Sequence, residues 1–204
     1  MAEAMLSDLA LANLELNAYG VAPIGDVIDA WCDRAVITRM PDWDIVSIVG
    51  TRNLEGWLSD FDIFEASLHD HPDFGPMEAG FAAGAEALWT ELRPMLGTKK
   101  LIIQGHSRGS ALKTIIAAMA LRDGFKLTRC IGYEEPWTVG PLCRDILLAA
   151  NVPGVTYWNG NDPVPTEPAE DWLVPNVWPI VRIGQPRLIG VQCHYMANVM
   201  MALT

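Results

Sequence analysis

The stretch "LIIQGHSRGSALKTIIAAMA", residues 101–120, passes from one apolar run to another through Gly105-His106-Ser107-Arg108-Gly109. The first run, read as 99–104, is short and β-branched, as a buried strand is. The second, 108–123, is apolar on nearly every face and predicts a central, buried helix. A strand, a tight Gly-x-Ser-x-Gly turn and a helix form the local pattern that holds a serine out at the C-terminal edge of a sheet. Small neighbours are needed there because strand and helix pack closely on both sides of the turn.

Outward from this corner, strands and helices alternate. "WDIVSIVG" (43–50), "KLTRCIGYE" (126–134) and "GVTYWNG" (154–160) read as strands. Residues 77–96 and 143–150 read as helices, and "HYMANVMMAL" (194–203) as a last one. Before the first strand, Met5, Leu9, Ala12 and Leu16 recur at helical spacing, with Leu6, Leu11 and Leu14 widening the face, so residues 3–19 predict an amphipathic helix ending near Gly20. Residues 26–33 read as a short helix. Residues 51–76 read as a loop with short helical pieces, and "VRIG" (181–184) and "RLIGVQC" (187–193) as short strands. The alternation predicts a single α/β domain over 1–204, with a mostly parallel central sheet between helical layers, a three-layer αβα sandwich.

Composition narrows the function. The 204 residues are half hydrophobic, enough for a sizeable core, and carry a net charge of −11. That charge argues against nucleic acid and against an anionic membrane held by charge alone. No basic n-region or long apolar run opens the chain, so the expectation is a cytoplasmic protein without a membrane span. Cys32, Cys130, Cys143 and Cys193 are widely spread and read as free thiols.

A serine alcohol is a poor nucleophile at neutral pH without an adjacent base, and the base needs an orienting group. In the Gly-x-Ser-x-Gly architecture the chain order is serine, acid, histidine. Only His194 lies downstream of Ser107, so it is the candidate base. The candidate acids are Glu134, Glu135, Asp145, Asp162, Glu167, Glu170 and Asp171. Asp162 stands out because a Gly-Asn turn presents it at the end of a strand, and Glu134 or Glu135 is the alternative. The backbone N–H of Arg108, at a helix N-terminus, is placed to meet a developing oxyanion. His106 precedes the nucleophile and is not favoured as the base. His69 and His71, in "HDHPD", read as solvent-facing polarity, so no metal site is expected.

In order along the chain, "IVGTRNLEGWLSDFD", "MEAGF", "IIQGHSRGSAL", "WNGNDPVPTEP" and "CHYM" resemble the class 3 lipase family, the α/β-hydrolase lipases typified by fungal triacylglycerol lipases. Departures are Val49 where Arg is usual, Glu78 where His is usual, Arg108 where an apolar residue is usual, and Ser110 in place of a glycine. The resemblance implies an α/β-hydrolase fold with Ser107 as nucleophile, Asp162 as acid and His194 as base. It implies an oxyanion hole from Thr51 and Arg108, and a lid over 52–60 with Leu54, Trp57 and Leu58 on its apolar face. It further implies a lipase or esterase that needs no cofactor, with an ester or lipid as its small-molecule partner and transient contact with a lipid interface. The alternatives are an acyl hydrolase of short-chain esters, thioesters or amides, and a non-catalytic binding module. The sequence leaves the oligomeric state open.

Overall fold

A computed structural model describes residues 6–51 and 64–204. Helix α1 (Asp8–Ala18) is capped by Ser7, whose hydroxyl accepts the Ala10 N–H at 3.2 Å. A hairpin follows, β1 (Asp26–Ala30) and β2 (Asp33–Arg39), then β3 (Trp43–Val49). Beyond a two-stranded ribbon, β4 (Glu65–Ala66) and β5 (Met77–Glu78), come α2 (Ala79–Leu92), β6 (Lys100–His106), α3 (Arg108–Arg122) and β7 (Leu127–Tyr133). Helix α4 (Pro141–Ala149), β8 (Gly154–Asn159), β9 (Ile180–Ile183) and α5 (Met196–Leu203) complete the order.

The main sheet has seven strands in the order β1-β2-β3-β6-β7-β8-β9. The pairs β1–β2 and β2–β3 are antiparallel, and every pair from β3 to β9 is parallel. The pleat sorts side chains strictly. Val46, Ile48, Leu101, Ile103 and Cys130 face α2, α3 and α4, whereas Ile45, Ile102 and Ile131 face α1 and α5. The expected layered α/β-hydrolase architecture is therefore present, with helices on both faces of a mostly parallel sheet.

Three local expectations are corrected. Residues 26–33 are not helical. Asp-Val-Ile-Asp-Ala pairs at the sheet edge with only Ile28 buried, and Trp31, at φ 56°, turns the chain into β2. "RLIGVQC" ends in a 3₁₀ turn, Gly190–Cys193, rather than a strand. Helix α1 buries Ala12 of the expected stripe and Leu11 beside it, together with Glu15 and Ala18, whereas Leu9 is exposed. All four cysteines are free, three of them buried.

Helix α3 buries thirteen residues, including Lys113. A charge there must be paired. Lys113 Nζ lies 2.9 Å from Glu135 Oε2 and 4.3 Å from the centre of the Trp178 ring. Glu135 also accepts the hydroxyls of Thr114 and Thr156. The pair ties α3 to the segment after β7 and fixes the helix whose N-terminus carries the elbow.

Candidate active site

Ser107 sits between β6 and α3 with φ 56° and ψ −128°, a backbone that a non-glycine residue adopts only when its surroundings enforce it. Those surroundings are tight. A Cβ on Gly105 would meet the Gly109 carbonyl oxygen at 2.3 Å, and one on Gly109 would meet the Ile48 carbonyl oxygen at 1.9 Å. The two glycines therefore let β6, α3 and β3 converge under the serine. The Ser107 N–H donates to the Tyr133 carbonyl at 2.9 Å, locking the corner to β7. Arg108 takes the first helical position, where a backbone N–H has no partner within the helix.

The histidine and the acid arrive from the other end of the chain. His194 Nδ1 lies 2.6 Å from Asp162 Oδ2, and both residues are buried. Asp162 Oδ1 accepts the Val164 N–H at 3.1 Å, so the turn after β8 clamps the carboxylate from its own backbone. Because a carboxylate accepts, Nδ1 carries the proton it donates and leaves Nε2 as the ring's free lone pair. Among the described residues, neither His194 Nε2 nor Ser107 Oγ has a hydrogen-bond partner, although both are buried. Bonds between such groups are commonly long before substrate arrives.

His106 holds this arrangement together. Its Nε2 lies 2.6 Å from the His194 carbonyl oxygen, and its ring centre lies 4.8 Å from that of His194. A carbonyl only accepts, so Nε2 donates, and Nδ1 must then accept from Tyr19 Oη at 2.6 Å. Tyr19 Oη in turn accepts the Gly50 N–H at 2.8 Å. Burial, then the nearby His194, push the His106 imidazole well below its ordinary pKa, against a smaller upward effect of its backbone hydrogen bond. The neutral ring therefore links the corner after β3, the elbow and the histidine backbone. It has no nitrogen left to act as a base toward Ser107.

The corner Gly50-Thr51 lies against Ser107, since a Cβ on Gly50 would meet Ser107 Cβ at 2.9 Å. Thr51 is half-buried and lines a cavity of about 440 Å³ with Trp31, Cys32, Asp33, Val49 and Arg108. The Arg108 guanidinium grips Asp33 with two bonds, at 2.8 and 3.0 Å, and donates to the Gly80 carbonyl at 2.9 Å. The positions expected for the lid, 52–60 with Leu54, Trp57 and Leu58, lie outside the described residues. A larger groove of about 1100 Å³, lined by His69, His71, Trp89 and Arg93, opens at the far end of α3, about 20 Å along the helix from Ser107. There, His69 pairs with Asp70 at 2.8 Å and His71 stacks on Phe74.

The two alternative acids part ways. Glu135 is committed to Lys113, whereas Glu134 lies beside Asp162, and one oxygen of each and a nitrogen of His194 fall within 4.8 Å of one another. Tyr19 and Asp33 have no signal in the sequence, because their partners lie 87 and 75 residues away and meet them only in the folded chain.

The family model described as "Lipase (class 3)" matches residues 45–172, more than half of the chain. The chain belongs to the class 3 lipase family. A curated relative, "Secreted mono- and diacylglycerol lipase 1" of Fusarium solani, is 25% identical over 130 residues. That match takes in 61% of this chain but spans only 39% of the relative. The triacylglyceride lipase of Rhizomucor miehei superposes with a TM-score of 0.68 at 16% identity, over 87% of this chain and 78% of its own. A triacylglycerol lipase described as having a serine protease triad as its catalytic centre superposes at 0.69 with 18% identity, over the same shares. At those identities the superpositions show the shared fold. Among the described residues, no helix is long and apolar enough to cross a membrane.

Proposed function

We propose that this protein is a serine hydrolase that cleaves carboxylic esters of acyl lipids. The observation that carries the reading is the His194–Asp162 pair, buried at 2.6 Å beside an elbow whose serine alcohol is unpartnered among the described residues. Ser107 Oγ attacks the ester carbonyl carbon while His194 Nε2 takes its proton. Asp162 keeps the ring in the tautomer that can accept it and stabilises the imidazolium. The tetrahedral oxyanion is held by the N–H groups of Thr51 and Arg108. His194 then returns the proton to the leaving alcohol, and water repeats the sequence on the acyl-enzyme, releasing the acid and free Ser107.

The family, and relatives named for acylglycerols, support the lipid preference. A fluorophosphonate probe tests the chemistry: it labels the wild type and fails on Ser107→Ala. A series of p-nitrophenyl esters tests the substrate class, with turnover rising toward long acyl chains. A short-chain optimum would redirect the reading to small esters. Failure to label the folded wild type would leave a binding module.

A further inference from the structure

Glu134 is a fully buried carboxyl that the mechanism above does not use. It directly follows Tyr133, whose carbonyl holds the Ser107 N–H. Its backbone sits at φ 53°, a left-handed conformation that few non-glycine residues adopt, so the fold holds an unusual backbone at this position. Its Oε1 accepts the Asn159 N–H at 2.6 Å. The Asn159 side chain in turn donates to the Cys193 carbonyl at 2.9 Å, immediately before His194. Its other oxygen, Oε2, is buried and has no geometrically regular partner among the described residues. This second carboxyl lies in the same cluster as Asp162 and His194.

Two adjacent buried carboxylates cannot both carry charge without a large electrostatic cost. Asp162 is already fixed as the charged member by the two N–H groups it accepts, from His194 and Val164. We propose that Glu134 is a positioning residue of the active site, a neutral second acid whose O–H donates to the Asp162 carboxylate. Glu134 acts on His194 only through Asp162. Burial above all, and then Asp162 itself, drive the Glu134 carboxyl well above its ordinary range, with the Asn159 N–H opposing in part. Among the described residues, Asp162 and Cys193 both act to raise it, and His194 lies in the same cluster. The donated O–H restrains the Asp162 carboxylate against His194 and spreads its charge. This inference rests on the ester-hydrolase reading for its catalytic consequence, but not for the protonation state it assigns.

The test compares wild type, Glu134→Gln and Glu134→Leu as full chains. Gln keeps an acceptor for Asn159 and a donor for Asp162; Leu keeps neither. The infrared difference between wild type and Glu134→Gln near neutral pH should show the carbonyl band of a protonated carboxylic acid, present only in wild type. Glu15, also buried, cancels in the subtraction. Glu134→Gln should keep kcat within about twofold. Glu134→Leu should lower it about tenfold or more, the effect of one lost charge-assisted hydrogen bond, with KM little changed. The low-field proton resonance of His194 Nδ1–H should move in Glu134→Leu and stay in Glu134→Gln. A difference spectrum without the acid band overturns the proposal, as does a Leu variant with wild-type kcat and resonance. Should the Leu variant fail to fold, the infrared comparison decides alone. Wild type that neither labels with fluorophosphonate nor hydrolyses esters would sink the hydrolase reading, while the infrared band still judges Glu134.

Discussion

His106 Nε2 donates to the backbone carbonyl of His194 at 2.6 Å, across 88 residues of sequence. The residue before Ser107 thus holds the main chain of His194, and its other nitrogen reaches the Tyr19 hydroxyl, which holds Gly50. Ser107, His194 and the Gly50-Thr51 corner are registered to one another through a neutral imidazole and a phenol.

Tyr19→Phe removes only the hydroxyl at the centre of that chain. It leaves the Gly50 N–H and His106 Nδ1 without this partner, a loss of about 1–3 kcal/mol in stability. Because the corner beside Thr51 is then free to shift, kcat should fall about tenfold or more with KM changed far less, the signature of a contact that serves the transition state. Steady-state kinetics with a soluble ester, alongside thermal unfolding, checks both. A variant with unaltered kcat would reduce Tyr19 to a packing residue.

Asp162→Asn preserves shape but reverses one hydrogen bond. An amide nitrogen facing Nδ1 favours the tautomer with the proton on Nε2, where it cannot accept from Ser107. The expected loss in kcat is on the order of 10⁴, with the fold intact, since the oxygen of the new amide can still accept the Val164 N–H. Single-turnover acylation by a p-nitrophenyl ester, read as the burst of nitrophenolate, measures it directly. An acylation rate within about tenfold of wild type would mean that Glu134 or another group orients the ring.

The corner at 101–120 was legible because every part of it is local: a strand, two glycines, a serine and a helix within one short window. His194 was legible by elimination and Asp162 by its turn. The hairpin of β1 and β2 was not, because five residues with apolar positions at Val27, Ile28 and Ala30 fit either period, and the turn at Trp31 and Cys32 lacks the Gly or Asn that usually marks a left-handed position. Asp33, Tyr19 and Glu134 were hidden for a different reason. Asp33 and Tyr19 are recruited by partners that sheet order brings beside them, and Glu134 was legible as a carboxyl near the strand end but not as a neutral neighbour of Asp162. Lys113 shows the same limit, since an apolar helix with one lysine gives no hint of a carboxylate waiting after the next strand.

Lys113→Met leaves the Glu135 carboxylate buried without its counter-charge, held only by the hydroxyls of Thr114 and Thr156. Breaking one half of such a pair costs about 3–5 kcal/mol. The double variant Lys113→Met with Glu135→Gln removes both charges and should recover most of that loss, because the ion pair's own desolvation cost disappears with it. Urea unfolding of the two variants beside wild type gives the comparison. If the double variant is as unstable as the single one, the pair contributes more than charge compensation.

Glu15 lies on the buried stripe of α1, under the sheet, and neither of its oxygens makes a hydrogen bond of regular geometry among the described residues. Burial pushes its carboxyl well above the ordinary value of 4.5, and the Ser47 side chain and His106 backbone oppose only in part. Below pH 4.5 the carboxyl is protonated in folded and unfolded chains alike and imposes no penalty. Above it, the unfolded chain loses the proton while the folded chain keeps it, so stability falls as pH rises toward the raised value. Glu15→Gln abolishes that slope while keeping size and polarity. Its melting temperature relative to wild type should therefore climb between about pH 4 and pH 7, in paired thermal scans at constant ionic strength. Glu134 contributes a slope of the same sign, but equally to both proteins, so the difference isolates Glu15. A melting difference that stays flat across that range would mean that Glu15 is charged in the fold, with a cation or water beside it that satisfies both oxygens.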